Sequence, residues 1–245
     1  MKISFVIPAY NEEGLIGACL ASILADTKNL PYQYEIIVVN NASTDNTKKI
    51  AVSYSHVQVV FEPKKGITKA RQAGYNVATG DIIANVDADN ILPSGWTKKV
   101  CEEFLYNKKL VGLSGPLEYY DLPSWIKFEV KIFYMLGYIS YIINNYVLKT
   151  SGMLQGGNYI IRKSALDQIG GFDTSLNFYG EDTDIARRLQ KVGFVKFTFR
   201  LPMYSSGRRL QKEGVVLAGW RYIINYFSML IYKKPIHKKH AKAYR

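Results

Sequence analysis

Short apolar runs alternate with stretches of helical periodicity through the first 115 residues, and few folds accommodate that rhythm. Ile3–Ile7, Glu35–Val39, Val57–Phe61, Asp81–Val86 and Val111–Leu113 are rich in Val and Ile and read as strands. Between them, Glu12–Ala25, Thr44–Ser55, Ile67–Ala78 and Ser94–Tyr106 repeat apolar residues at helical spacing. Ser43 and Ser94 are placed to cap the second and fourth of these helices. Strand and helix in alternation predict an α/β fold, a mostly parallel sheet with helices on both faces. Such sheets bind ligands beyond the carboxyl ends of their strands, here Pro8–Glu12, Asn40–Thr44, Pro63–Gly66 and Asp87–Asn90.

The last of these ends is the most acidic. Asp87 and Asp89 close the strand Asp81–Val86, and in extended backbone residues two apart leave on the same side. Paired carboxylates repel unless a cation sits between them, and hard oxygen donors suit Mg²⁺ or Mn²⁺, which carry phosphates in their remaining positions. An acidic turn at a strand end is the alternative. At the first strand end Tyr10 can stack on a base. At the second, the Asn40-Asn41 amides can read a base edge, whereas capping would explain Ser43 and Asp45 but not two adjacent asparagines. Lys64, Lys65, Lys69 and Arg71 surround a Gly-led helix start, where cations can neutralise a diphosphate or face solvent.

The second half is less regular. Trp125–Leu148 is long and aromatic, with no charge from Ile132 to Leu148. Gln155–Ile161 and Val195–Phe199 read as strands around a helix at Thr183–Val192. Gly156 and Gly157 permit close backbone approach. Glu181, Asp182 and Asp184 crowd a helix start, where the helix dipole favours them and Asp184 can reach Arg188. Alternatively one of them serves as a general base, its pKa lifted by acidic neighbours.

Seven motifs run in order: Val6-Ile-Pro-Ala-Tyr-Asn-Glu12, Val39-Asn-Asn-Ala-Ser-Thr-Asp45, Gly66-Ile-Thr-Lys-Ala-Arg71, Asp87-Ala-Asp89, Gly156-Gly157-Asn158, Gly170-Gly-Phe-Asp173 and Glu181-Asp182. Met1 to about Arg209 thereby resembles the inverting family-2 glycosyltransferases, whose A-type fold has a Rossmann-like sheet. The resemblance implies transfer of a sugar from a nucleotide-diphosphate donor. It implies that Pro8, Tyr10 and Asn41 line the base pocket, that Asp87 contacts ribose or metal, and that Asp89 binds the Mg²⁺ or Mn²⁺ holding the diphosphate. Glu12, Lys65 and Arg71 belong with the donor; Glu181, Gly157 and Asn158 with the acceptor; Asp182 matches the catalytic base. The implied domain is 1–209, with a donor half 1–115 and an acceptor half 116–209.

Three departures stand out. The family commonly has Asp where Asn41 stands. A late metal-binding histidine is missing, the histidines being His56, His237 and His240; Arg208 and Arg209 are placed to steady the diphosphate instead. Gln211 lacks the following Arg-Trp of processive synthases, which favours transfer of one sugar. A sugar nucleotidyltransferase would share the sheet and the acidic site but want a Gly-rich basic loop after the first strand. A non-catalytic binding protein would tolerate loss of the acidic residues.

Charge places the chain further. Of the net +12, Arg208 to Arg245 carries ten Lys or Arg against Glu213. That excess suits an anionic surface, and no nucleic-acid-binding signature accompanies it. In Gly214–Tyr232 an apolar stripe of Val216, Trp220, Ile223, Ile224, Phe227, Leu230 and Ile231 opposes Ala218, Arg221, Asn225, Ser228 and Tyr232. Arg221 in mid-segment argues against spanning. An amphipathic helix and basic tail over 210–245, seated on the inner face of a membrane, would bring the enzyme to a lipid-linked or glycan acceptor. A helix packed on the protein's own core is the alternative. Cys19 and Cys101 sit at core spacing, as expected of a cytoplasmic protein.

Overall fold

The structure, a computed structural model, describes residues 1–176 and 178–237. Its strands are β1 (Lys2–Ala9), β2 (Gln33–Asn40), β3 (Val57–Phe61), β4 (Ile82–Val86), β5 (Asn90–Ile91), β6 (Leu110–Ser114), β7 (Leu117–Tyr119), β8 (Asn158–Arg162), β9 (Phe194–Phe197) and β10 (Met203–Ser205). Seven of them form one sheet in the order β3-β2-β1-β4-β8-β6-β9. All five strands read from the first 115 residues lie in it. Only β8 runs antiparallel, between β4 and β6. A small second sheet, β5-β10-β7, stands beyond the end of β4.

Side chains alternate across the sheet, so each strand feeds two cores. Ile3, Phe5 and Ile7 of β1 join Ile36, Val38, Ile82 and Ala84 on one face. That face is covered by α1 (Ile16–Thr27) and α4 (Trp96–Tyr106), with α2 (Thr47–Val52) at the edge. Val6, Ile37, Val39 and Ile83 point the other way, under α3 (Ile67–Val77), α6 (Lys163–Gln168) and α7 (Glu181–Leu189). Cys19 and Cys101 are buried free thiols in the first core.

Helix capping departs from expectation. Neither Ser43 nor Ser94 caps a helix. Asp26, near the end of α1, accepts the Gly95 N–H at 2.5 Å and the Thr97 N–H at 2.7 Å, and so caps α4 from a neighbouring element. A carboxylate there satisfies two orphan donors where a serine would satisfy one. The Ser43 hydroxyl instead accepts the Asn11 N–H at 3.0 Å, tying the ends of β1 and β2 together.

The expected helix over Trp125–Leu148 divides into α5 (Ser124–Ile142) and a π-helical turn at Ile143–Val147. After α8 (Arg208–Glu213) comes α9 (Val215–Ile231), packed against α5, α7 and α8. The expected boundary after Arg209 falls within α8. The orientation of α9 contradicts packing through its apolar stripe. Trp220, Phe227 and Ile231 are 56%, 49% and 66% exposed, while Ala218, Asn225 and Ser228 face inward. That inner face is mixed, with Val215 and Met229 buried beside the polar pair. Asn225 accepts the His237 N–H at 3.0 Å and Ser228 donates to the Lys234 carbonyl at 2.5 Å, so the inner face binds the chain that folds back from the helix end. No helix among the described residues is long and apolar enough to cross a membrane. The basic tail at 238–245, His240 included, lies outside the described residues.

Candidate active site

A cleft of about 1020 Å³ opens beyond the carboxyl ends of β1, β2 and β4. It brings together Pro8, Tyr10, Glu12, Asn41, Lys65, Arg71, Asp87, Asp89, Glu181, Asp182, Arg208 and Arg209 from six separate stretches of chain. Gly157 and Asn158 are not among its lining residues. Asn158 is fully buried, and its amide donates to the Leu201 and Pro116 carbonyls at 2.9 and 3.2 Å. Gly157 lies behind Asp87 at φ +79°, where a Cβ would come within 2.6 Å of the Asp87 carboxylate. These two residues shape the wall from behind; Gly156 lines it.

The paired asparagines are explained by the backbone they hold. Asn40 accepts the Ser43 N–H at 3.1 Å. Asn41 donates to the Glu62 and Lys64 carbonyls, both at 2.9 Å, and accepts the Gly66 N–H at 2.9 Å. Its amide thus shapes the loop between β3 and α3 that forms the cleft floor. Across the floor, Lys65 donates to the Tyr10 hydroxyl at 2.5 Å, its ammonium 4.2 Å from the ring centre.

Arg208 reaches in from α8. It donates to both Glu12 oxygens at 2.7 Å and lies 3.3 Å from Asp89. Its helix start is held by Asp121, which accepts the Ser206 hydroxyl at 2.7 Å and the Gly207 N–H at 2.5 Å. Arg209 turns away from the acidic pair, toward Glu213, Tyr179 and Tyr222. Burial, then the Asp87 charge, push the Asp89 carboxyl up to about 7 against the pull of Arg208.

Arg71 joins the two halves of the cleft. Its side chain is 1% exposed; one guanidinium nitrogen donates to Glu181, the other to Asp87 at 3.0 Å, and the group stacks 5.0 Å from the Tyr159 ring. A single buried cation therefore touches the acidic strand end and the acidic helix start, which lie far apart in sequence. Burial pushes Glu181 up to about 7, with Asp182 and Asp87 adding to the rise and Arg71 opposing it. Burial also raises Asp182 above the ordinary aspartate range, although the Thr183 N–H donates to it at 2.8 Å. The expectation that acidic neighbours do the lifting is corrected accordingly: desolvation comes first. Asp184, the third carboxylate, pairs with Arg187 at 3.0 Å and Arg188 at 2.7 Å. Arg188 in turn donates to the Ile169 and Gly171 carbonyls, and both glycines of that turn stand in the left-handed region, at φ +76° and +77°.

Among the described residues no group of three or more His, Cys, Asp or Glu is placed to hold a metal ion. The two carboxylates nevertheless fit a hard divalent cation that takes its other ligands from phosphate and water. Asp89, charged only at the expense of burial and of repulsion by Asp87 and Glu12, would be relieved by such a cation. Sequence reasoning missed several polar cleft residues: Gln155, which it read only as the start of a strand, and Tyr119, Ser205 and Ser206, on or beside the short strands β7 and β10. Three-residue strands carry no periodicity that would have revealed them.

Comparison with known proteins agrees with this geometry. The model of glycosyl transferase family 2 matches residues 4–170. A relative from Proteus mirabilis, undecaprenyl-phosphate 4-deoxy-4-formamido-L-arabinose transferase, is 33% identical over 94 residues, 36% of this chain and 29% of its own length. A mannosyltransferase of Pyrobaculum calidifontis, solved with GDP-Man and Mn²⁺, superposes with TM-score 0.67 at 20% identity, over 94% of this chain and 63% of that one. Glucosyl-3-phosphoglycerate synthase of Mycobacterium tuberculosis, solved with Mn²⁺, UDP and phosphoglyceric acid, gives TM-score 0.64 at 20% identity, over 94% and 78%. The chain spans less than a third of the length of the first curated relatives it matches. With three strand ends and one helix start meeting in a cleft of this kind, and the family model covering most of the chain, the protein belongs to glycosyl transferase family 2.

Proposed function

We propose that this protein transfers a single sugar, with inversion, from a nucleotide-diphosphate sugar to an acceptor hydroxyl, and that it is metal-dependent. The observation that carries the reading is Arg71, which braces the acidic pair at β4 against the acidic start of α7 across one cleft. The nucleotide lies over the β1 and β2 ends, between Pro8, Tyr10 and the loop shaped by Asn41. Asp87 and Asp89 would hold Mg²⁺ or Mn²⁺, which when bound offsets the negative charge of the leaving diphosphate. Lys65 and Arg208 add cations on the same side. The solved relatives that carry Mn²⁺ with GDP-Man or UDP support this division.

Asp182 is the general base. Its carboxylate takes the proton of the acceptor hydroxyl while that oxygen forms the new bond to the anomeric carbon. The bond from that carbon to the diphosphate oxygen breaks, and the nucleotide diphosphate leaves with the electron pair. Attack from the face opposite the leaving group inverts the carbon. A base held above the ordinary aspartate range has more affinity for the proton it must take. Glu181 stands beside it, paired to Arg71, on the acceptor side.

The acceptor is placed at an anionic membrane surface. The outward stripe of α9 and the lysines after it support that placement, as does the undecaprenyl-phosphate named for the Proteus relative. The test is Asp182→Asn against a panel of donors and acceptors. Transfer should fall by about 10²–10⁴-fold while binding of the nucleotide diphosphate, followed by calorimetry with Mn²⁺, stays unchanged. Normal transfer by the variant would refute the base assignment.

A further inference from the structure

We infer that α5 and α9 together form one flat membrane-seating face, so that the apolar side of the cleft lies against the lipid headgroups. This deepens the membrane placement proposed above and rests on it, but it assigns the seat to two helices rather than to the C-terminal helix and tail alone.

The two helices lie side by side and parallel. Gly219 of α9 sits against Phe133 of α5, where a Cβ would come within 2.5 Å of the ring. Seven residues further along each helix, Ser140 and Tyr226 meet through their hydroxyls at 3.5 Å. Each helix carries an unpartnered apolar stripe at helical spacing. On α5 it includes Trp125, Phe128, Ile132 and Ile139, which are 63%, 65%, 46% and 55% exposed. On α9 it includes Trp220 and Phe227.

Rotation of about 100° per residue decides where these stripes point. Measured from the contact line through Phe133 and Ser140, the α5 stripe lies about a quarter turn to one side. Measured from Gly219 and Tyr226, the α9 stripe lies about a quarter turn to the other. In a parallel pair, opposite turns from facing contact lines end on the same side. The opposite side of the pair holds Tyr141, Ala218 and Asn225, all buried against the body. The stripes are therefore coplanar.

Charge selects the occupant. Among the exposed positions of both helices the one charged residue is Lys131. Beyond the adjacent C-terminal ends come Lys149, Lys233 and Lys234, all exposed. An apolar plane with a tryptophan on each helix and a cationic edge matches the headgroup region of an anionic bilayer. Leu136 and Phe227 belong both to this face and to the cleft lining, so an acceptor held in the bilayer would meet the cleft without leaving the surface.

The experiment uses the full chain and vesicles of phosphatidylglycerol and phosphatidylcholine with brominated acyl chains. Trp220→Phe leaves Trp125 as the exposed reporter, and Trp125→Phe leaves Trp220. The double variant leaves only Trp96, which is buried and serves as the blank. Bromine quenching of both single variants, well above the blank, is the expected result. Quenching of Trp220 without Trp125 would overturn the two-helix face while leaving the membrane placement intact. Failure of the wild-type chain to bind anionic vesicles would overturn both, as would light scattering that showed a second copy covering the face instead. Ile132→Asp with Ile139→Asp should lower vesicle binding by at least about tenfold, with circular dichroism unchanged. Unchanged binding would count against α5. None of these outcomes bears on sugar transfer.

Discussion

The β1–β4 half and the α5–α9 pair handle apolar surface in opposite ways. In the first, alternate strand residues go to one core or the other, and the helices above turn their apolar stripes inward. In the second, Asn225 and Ser228 face the body while Trp220 and Phe227 face out. Burial of hydrocarbon drives the first arrangement. The second leaves that free energy unrealised in water, and hydrogen bonds from the inner face to the returning chain hold the orientation. The first half gathers its polar groups at the strand ends, and the pair leaves apolar area facing solvent.

The sharpest way to test the division is at the cleft, where the two regions meet. Asp182→Asn should lower turnover by about 10²–10⁴-fold, the usual reach of general-base catalysis, with folding unaffected by circular dichroism. Next comes Arg71→Met. It leaves Glu181 and Asp87 without their shared cation, and removing one partner of a buried pair costs about 3–5 kcal/mol, read as a lower urea midpoint. A stability contrast would break the comparison outright. Leu20→Ala in the first core should cost about 2–5 kcal/mol, whereas Ile139→Ala on the outward stripe should stay within about 0.5 kcal/mol. Comparable losses at the two positions would mean that the stripe is covered by the protein itself.

Smaller effects sharpen the donor side. Asn41→Asp turns a donor to two backbone carbonyls into an acceptor facing them, and should cost about 1–3 kcal/mol in thermal or urea unfolding. The pH dependence is the mildest test. Because burial raises Asp182, kcat/KM should fall on the acid side at a pH above the ordinary aspartate value of 3.8, as the base takes up its proton. A profile flat down to that value would place the base in an unburied environment.

The main sheet was legible in the sequence because strand and helix periodicity are local. Val57–Phe61, for example, begins and ends where it was read. The acidic pair and the acidic helix start were legible for the same reason. What escaped reading was non-local. Asp26 caps a helix that begins beyond Gly95, and nothing near either residue announces it. The amide of Asn41 looks equally suited to a nucleobase or to backbone groups, and its three bonds to the β3–α3 loop form only in the folded chain. Gly157 and Asn158 were assigned by their motif to the acceptor. The antiparallel entry of β8 brings both to the cleft end of β4, but Gly157 packs behind Asp87 and the Asn158 amide is taken up by the Leu201 and Pro116 carbonyls.

The sequence by itself determined the alternation, the two cores it requires and the carboxylates at the strand ends, since period and composition act over a few residues. Tertiary structure alone decided that Arg71 would be buried between two of those carboxylates, and that α9 would bury Asn225 and Ser228 while exposing Trp220 and Phe227. Both choices depend on what a side chain meets from distant parts of the chain, and the free energy of a buried charge or an inward amide is set by those partners.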